Sequence, residues 1–165
     1  MIKTTPTKSL LKTQKATKSK VITQHKKTHK SGNSIHKKYN PNKFIQHTMD
    51  YLASIKMYHW TTKSYQAHKS TDKLHGKLQA LMDSYVETSL GHDICNKKTL
   101  KTAIKNIRVK TLHNNRDLHK HTRAYKGHMK SVRDELERNN ADEIISIIDE
   151  IIAELDVLSY LNTLE

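Results

Sequence analysis

The chain lacks what secreted and membrane proteins depend on. It holds one cysteine, Cys95, among 165 residues. That excludes an internal disulfide and suits a reducing compartment. The ordinary place for such a thiol is buried and inert. No run approaches the roughly 18 apolar residues of a membrane span. The N-terminus has no apolar segment of the secretory type, and its Lys-rich start departs from organelle transit peptides, which favour Arg. Nucleotide loops of the Walker kind, zinc-finger spacings, a GxSxG element and a dinucleotide fingerprint are also missing. Apolar residues make up 35% of the chain, few enough that part of it is expected to stay unfolded.

Acids are missing from one end and concentrated at the other. Residues 1–42 carry 11 Lys and no Asp or Glu. Residues 43–133 carry 18 basic and 6 acidic residues, and residues 134–165 carry 1 basic and 10 acidic. The acidic end can pair with the basic middle if the two pack as antiparallel helices. The first segment has no such partner in the chain, so a polyanion is its expected partner. Its sequence, rich in Lys, Thr, Ser and His with Pro6 and Gly32, has no sustained period and reads as a disordered basic arm. His25 and His29 sit four apart there and are read as solvated.

The folded part is expected over residues 43–165. Asn40 or Asn42 can cap a first helix, with Pro41 suited to its start. Ile45, Met49, Leu52, Ile55 and His59 form one helical stripe ending near Trp60, itself read as a packing anchor. After the turn TTKS, capped by Thr62 or Ser64, the residues Leu74, Leu78, Leu81 and Tyr85 predict a helix over 64–90, with Gly91 placed to stop it. Leu100, Ala103, Ile104 and Ile107 suggest a short helix near 97–109. Leu118, His121, Tyr125, Met129, Val132 and Leu136 predict a helix over about 113–138. Asn140 can cap a last helix whose stripe is Ile144, Ile148, Ile151, Leu155 and Leu158. No stretch alternates like a strand. The expected fold is all-α, an antiparallel four-helix bundle with one short extra helix.

The second helix carries ligand-type residues. At about 100° per residue, His68, Asp72, His75, Asp83 and Glu87 share one face away from the apolar stripe. His68 and Glu87 are about 28 Å apart along the helix. The pairs His68–Asp72 and Asp83–Glu87 therefore cannot hold one ion within one chain. A two-fold antiparallel homodimer brings one pair against the other and makes two equivalent sites. His59, across the short turn from His68, can join the first pair. Mixed imidazole and carboxylate donors suit iron, manganese or zinc. Asp72-x-x-His75 with Asp149, Glu150 or Glu154 is a lesser, in-chain alternative.

The order His59-Trp60, His68, Asp72 four on, Asp83 eleven further and Glu87 four after resembles the Dps mini-ferritins. The likeness is close over 58–91 and loose over 43–165. The segments HWTTKSYQAH and IIDEIIAELDVLSYLNTL look still more like an uncharacterised ferritin-like family of large DNA viruses. The resemblance implies a ferritin-like four-helix bundle and a ferroxidase site shared across a dimer. His59, His68, Asp72, Asp83 and Glu87 would bind Fe(II), and peroxide or oxygen would oxidise it, which limits oxidative damage. It allows a higher oligomer. The turn before His68 is three residues shorter than in typical Dps proteins, and KSYQ replaces their Gly-x-x-Phe. His59 is the member this departure affects most.

Some Dps proteins condense DNA through a Lys-rich arm. Here the candidate nucleic-acid contacts are Lys8, Lys12, Lys15, Lys18, Lys20, Lys26, Lys27, Lys30, Lys37 and Lys38, which would release counterions from phosphates without base preference. The basic middle adds Lys, Arg and His with only Tyr125 as a stacking candidate, which favours backbone contact. HKH at 119–121 reads as basic surface. The expected location is cytoplasmic, nucleoid- or virion-associated, and not secreted. The alternative function is a non-catalytic DNA-packaging or virion-associated protein on the same scaffold, its acids serving as salt-bridge partners.

Overall fold

Helix α1, Pro41–Thr61, begins where the chain supplies a cap and a fixed φ. Asn40 Oδ1 accepts from the N–H groups of Asn42 and Lys43 at 3.1 and 3.3 Å, and Pro41 takes the first helical position. The computed structural model describes residues 39–138 and 141–164, all within one unit. Tyr39, four residues before the expected boundary at 43, is buried, and its hydroxyl lies 2.7 Å from that of Tyr85. Residues 1–38 of the expected basic arm lie outside the described residues.

Helix α2, Tyr65–Gly91, is capped by Ser64, whose Oγ accepts from Ala67 N–H at 3.2 Å. Thr62 instead ends α1, and its Oγ1 accepts from Ser64 N–H. Gly91 is the last helical residue. The left-handed conformation after the helix falls on Asp93, at φ 55°, a residue type that tolerates it. Helix α3 covers only Lys97–Ala103, short of the expected 97–109. Helix α4, Asn115–Glu137, is capped by Asn114. Helix α5, Asp142–Leu161, has Ala141 at its cap position without a side-chain bond, and acids Asp142 and Glu143 favour its positive end. The expected cap, Asn140, lies outside the described residues.

The side-chain contacts set the directions. Helix α1 packs on α2 and α4, and α5 packs on α2 and α4. Gln66 near the start of α2 bonds Leu161 O at the end of α5. Between α1 and α4, Tyr58 meets Asn115, Tyr51 meets Thr122, Thr48 meets Tyr125 and His47 meets His128. Each neighbouring pair is therefore antiparallel, and α2 and α4 run the same way. The chain must cross the length of the bundle between them, over 92–114.

The packing explains the apolar stripes. Ile55, Leu78, Leu118, Leu136, Ile148 and Ile151 are fully buried, and each such side chain contributes about 1.5–3 kcal/mol of transfer free energy. The buried tyrosine hydroxyls of this core are paired. The rings of Tyr51 and Tyr125 stack at 4.1 Å, the Tyr125 hydroxyl donates to Thr48 Oγ1 at 2.9 Å, and Thr48 Oγ1 donates to Phe44 O. Acidic α5 pairs with its basic neighbours through Lys77–Glu154, Lys126–Asp156 and Arg133–Asp149.

The crossover is held on α1 by a ladder. Gln46 Nε2 donates to Asn106 O at 2.7 Å, Asp50 Oδ1 accepts from Arg108 N–H at 2.7 Å, and Ser54 Oγ accepts from Lys110 N–H at 2.9 Å. Four helical residues rise about 6 Å, and two extended residues advance about 6.6 Å. A strap running along α1 can thus be bonded by every fourth residue of the helix. That is why the expected helix stops early: the N–H groups of Arg108 and Lys110 go to side chains of α1. Ile104 and Ile107, expected on a helical stripe, are exposed.

Candidate functional site

Helix α1 ends and α2 begins around three residues, 62–64, so the last turn of one lies beside the first turns of the other. His59 and His68 face each other there. Their rings stack with centroids 4.0 Å apart and 21° between planes. His59 Nδ1 lies 2.8 Å from His68 O, and His68 Nδ1 lies 2.9 Å from His59 O. A carbonyl oxygen only accepts, so both Nδ1 atoms carry the proton. In a neutral ring so held the lone pair falls on Nε2, the tautomer and orientation that metal-binding histidines take from such partners. The shortened turn does not carry His59 away; it is buried against His68.

Asp72 stands one turn further along α2, exposed, with Oδ1 3.6 Å from His59 Nε2 and 3.1 Å from Lys56 Nζ. The Lys56 ammonium, by its hydrogen bond, holds the Asp72 carboxyl below its ordinary value. His75, half-buried beside them, has its pKa lowered by burial and then by Lys56. Lys56 also lies over the Trp60 ring, 5.8 Å from its centroid. Trp60 was expected as a packing anchor but is 66% exposed: it leaves the core one residue after His59. Sequence reasoning missed Lys56. The signal was its spacing, three before His59 and four before Trp60 on one helix.

Asp83 and Glu87 are exposed on the same helix α2, two to four turns from His75 and far from the histidine pair. An open groove of about 450 Å³ is lined by Met49, Leu52, Met57, Trp60, Met82, Ile107 and Val109, with Lys56, His75 and Asp83 also on its wall. Among the described residues of the single chain, no three His, Cys, Asp or Glu side chains converge as a metal cage. The in-chain alternative is not assembled either. Glu154 is engaged by Lys77 and Asp149 by Arg133, because α5 meets α2 along the Lys77 edge and not the Asp72 edge.

Other expectations resolve as follows. All ten candidate arm lysines, and His25 and His29, lie outside the described residues. Tyr125 cannot stack on a base, since it is buried on Tyr51. In HKH, Lys120 is exposed, while His121 packs against Tyr51 at 5.1 Å with its Nε2 buried and unbonded. Cys95 is buried, and burial raises its thiol pKa.

No curated protein and no solved structure matches the chain. A family model matches residues 59–161, from the first histidine of the stacked pair to the last residue of α5. The chain belongs to that family, described as a family of unknown function (DUF5856).

Proposed function

We propose that the chain is a ferritin-like, Dps-type protein that binds and oxidises Fe(II) at a site shared by two copies. The observation that carries this reading is the reciprocal bonding of His59 and His68 through their Nδ1 atoms, which leaves both Nε2 atoms free of the backbone, that of His59 3.6 Å from the Asp72 carboxylate. Two imidazoles and a carboxylate are a donor set for iron, with manganese and zinc as competitors. A second copy, packed antiparallel along the apolar groove, would add Asp83 and Glu87 of the partner subunit and cover Trp60. Exposed apolar surface of this kind marks an interaction site. Two antiparallel helix pairs joined by a single long crossover support the ferritin-like arrangement. Two Fe(II) supply the two electrons that convert one peroxide and two protons to two waters. The arm over residues 1–42 would bind DNA phosphates.

The Lys56–Asp72 ion pair favours a second reading. A carboxylate already neutralised by an ammonium can be a salt-bridge partner on a non-catalytic DNA-packaging or virion-associated scaffold. Anaerobic Fe(II) titration followed by peroxide separates the two. The first reading expects stoichiometric binding and oxidation by the parent and neither by Asp83→Ala/Glu87→Ala. A parent that binds no Fe(II) leaves the scaffold reading.

A further inference from the structure

We propose that the outward face of α4, together with the crossover strap, is a binding surface for the phosphate backbone of duplex nucleic acid, separate from the N-terminal arm and independent of any metal site. Residues 92–133 hold 12 Lys and Arg against 2 acids, Asp93 and Asp117. On α4 these cations are ordered. Taking Arg116 as zero, Lys120, Arg123 and Lys130 fall within about 40° of it at 100° per residue, while the buried Leu118, Tyr125 and Leu136 lie near the opposite side. All four cations are exposed. They form a straight stripe about 21 Å long, closed at its far end by Asp134.

Their charge is not consumed within the chain. The ion pairs on α4 engage Lys126 and Arg133, on the edge facing α5. Among the described residues, Arg116, Lys120, Arg123 and Lys130 have no carboxylate partner. The strap adds a second row. Its backbone is pinned at Arg108 and Lys110 by Asp50 and Ser54, and Ile107 and Val109 line the groove. Because extended residues alternate sides, Arg108 and Lys110 project away from that groove, both exposed. The strap leads along the chain into the start of α4.

The chemistry selects a duplex. Single-strand binders combine cations with exposed aromatic stacking platforms. The one aromatic residue of α4, Tyr125, is buried. A rigid row of cations without a platform suits a backbone already ordered by base pairing, and it reads no sequence.

The test uses the full chain, a labelled mixed-sequence DNA duplex, the matching RNA duplex and an unpaired thymidine strand, with fluorescence anisotropy over a series of salt concentrations. Each phosphate neutralised contributes about −0.9 to the slope of log K against log salt on a duplex. Arg116→Gln/Lys120→Gln/Arg123→Gln/Lys130→Gln should flatten the slope by about 3.6 on both duplexes. A chain with Gln at the ten arm lysines should still bind with a salt-dependent slope. Gly127 lies within the stripe, and a Cβ there would meet nothing within 4 Å. Gly127→Lys should therefore steepen the slope by about 1, which keeps the test sharp if the fourfold variant folds poorly by circular dichroism. An unchanged slope in a folded fourfold variant, no steepening with Gly127→Lys, or tighter binding of the unpaired strand would overturn the proposal.

Discussion

His59 and His68 hold one another in place: the Nδ1 of each is bonded to the backbone carbonyl of the other, at 2.8 and 2.9 Å, with the rings stacked at 4.0 Å. The arrangement also fastens the end of α1 to the start of α2 across a three-residue turn. It gives two imidazoles a common tautomer before any ligand arrives, so less ordering is left for binding to accomplish.

The buried hydroxyls give an asymmetric prediction. Tyr125→Phe removes a donor, but Thr48 Oγ1 keeps its own bond to Phe44 O. Thr48→Val leaves the Tyr125 hydroxyl buried without an acceptor. Urea unfolding should show a loss of about 1 kcal/mol for the first and about 2 kcal/mol for the second. Equal losses would mean the core supplies Tyr125 with another acceptor.

The strap should loosen as a unit. Asp50 Oδ1 accepts from both Gln46 Nε2 and Arg108 N–H. Asp50→Ala removes both and is expected to cost about 1 kcal/mol. Hydrogen exchange should accelerate at the Arg108 and Lys110 amides while the amides of α4 stay protected. Faster exchange throughout the bundle would show that the strap is not a separable element.

Acid should weaken the fold through two histidines. The pKa of His121 is lowered by burial and then by Lys110, and that of His128 by burial and then by His47. For such a group the unfolded chain takes up the proton more readily. Its contribution to stability is complete above the ordinary imidazole value of about 6.5, and is lost as pH falls from there through the depressed folded value. The urea midpoint of the parent should fall between about pH 7 and pH 5, and less so in His121→Gln/His128→Gln. The same fall in both proteins would assign the acid sensitivity to other groups.

Much of the helical layout was legible in the sequence. Spacings such as Leu118, Tyr125, Met129, Val132 and Leu136 predicted α4 within two residues at each end, and Asn40 and Ser64 act as caps. The strap was not legible. Ile104 and Ile107 are spaced like a helical stripe, and only the side chains of α1, distant in sequence, show where the amides of Arg108 and Lys110 go. Trp60 was misread because its size suggested burial, whereas helix direction turns it outward. The turn allowed His59 to join His68, and its shortening made His59 the least secure member of the set; the bonds that fix both rings depend on the backbone carbonyls, which no side-chain pattern encodes. Lys56 beside Asp72 was on the helix face but was not sought among the acids and histidines.

The central claim is that a metal site is completed by a second copy, and complementation tests it most directly. One variant lacks one half, His59→Ala/His68→Ala/Asp72→Ala, and the other lacks Asp83→Ala/Glu87→Ala. Neither alone should bind Fe(II) under anaerobic titration. Unfolded together and refolded as an equal mixture, half of the dimers pair unlike chains, and each of those has one intact site of two. The mixture should recover about a quarter of the parent's binding, as two-fold symmetry requires. A mixture that binds no more than its separate components, or a single variant that binds like the parent, would contradict a shared site.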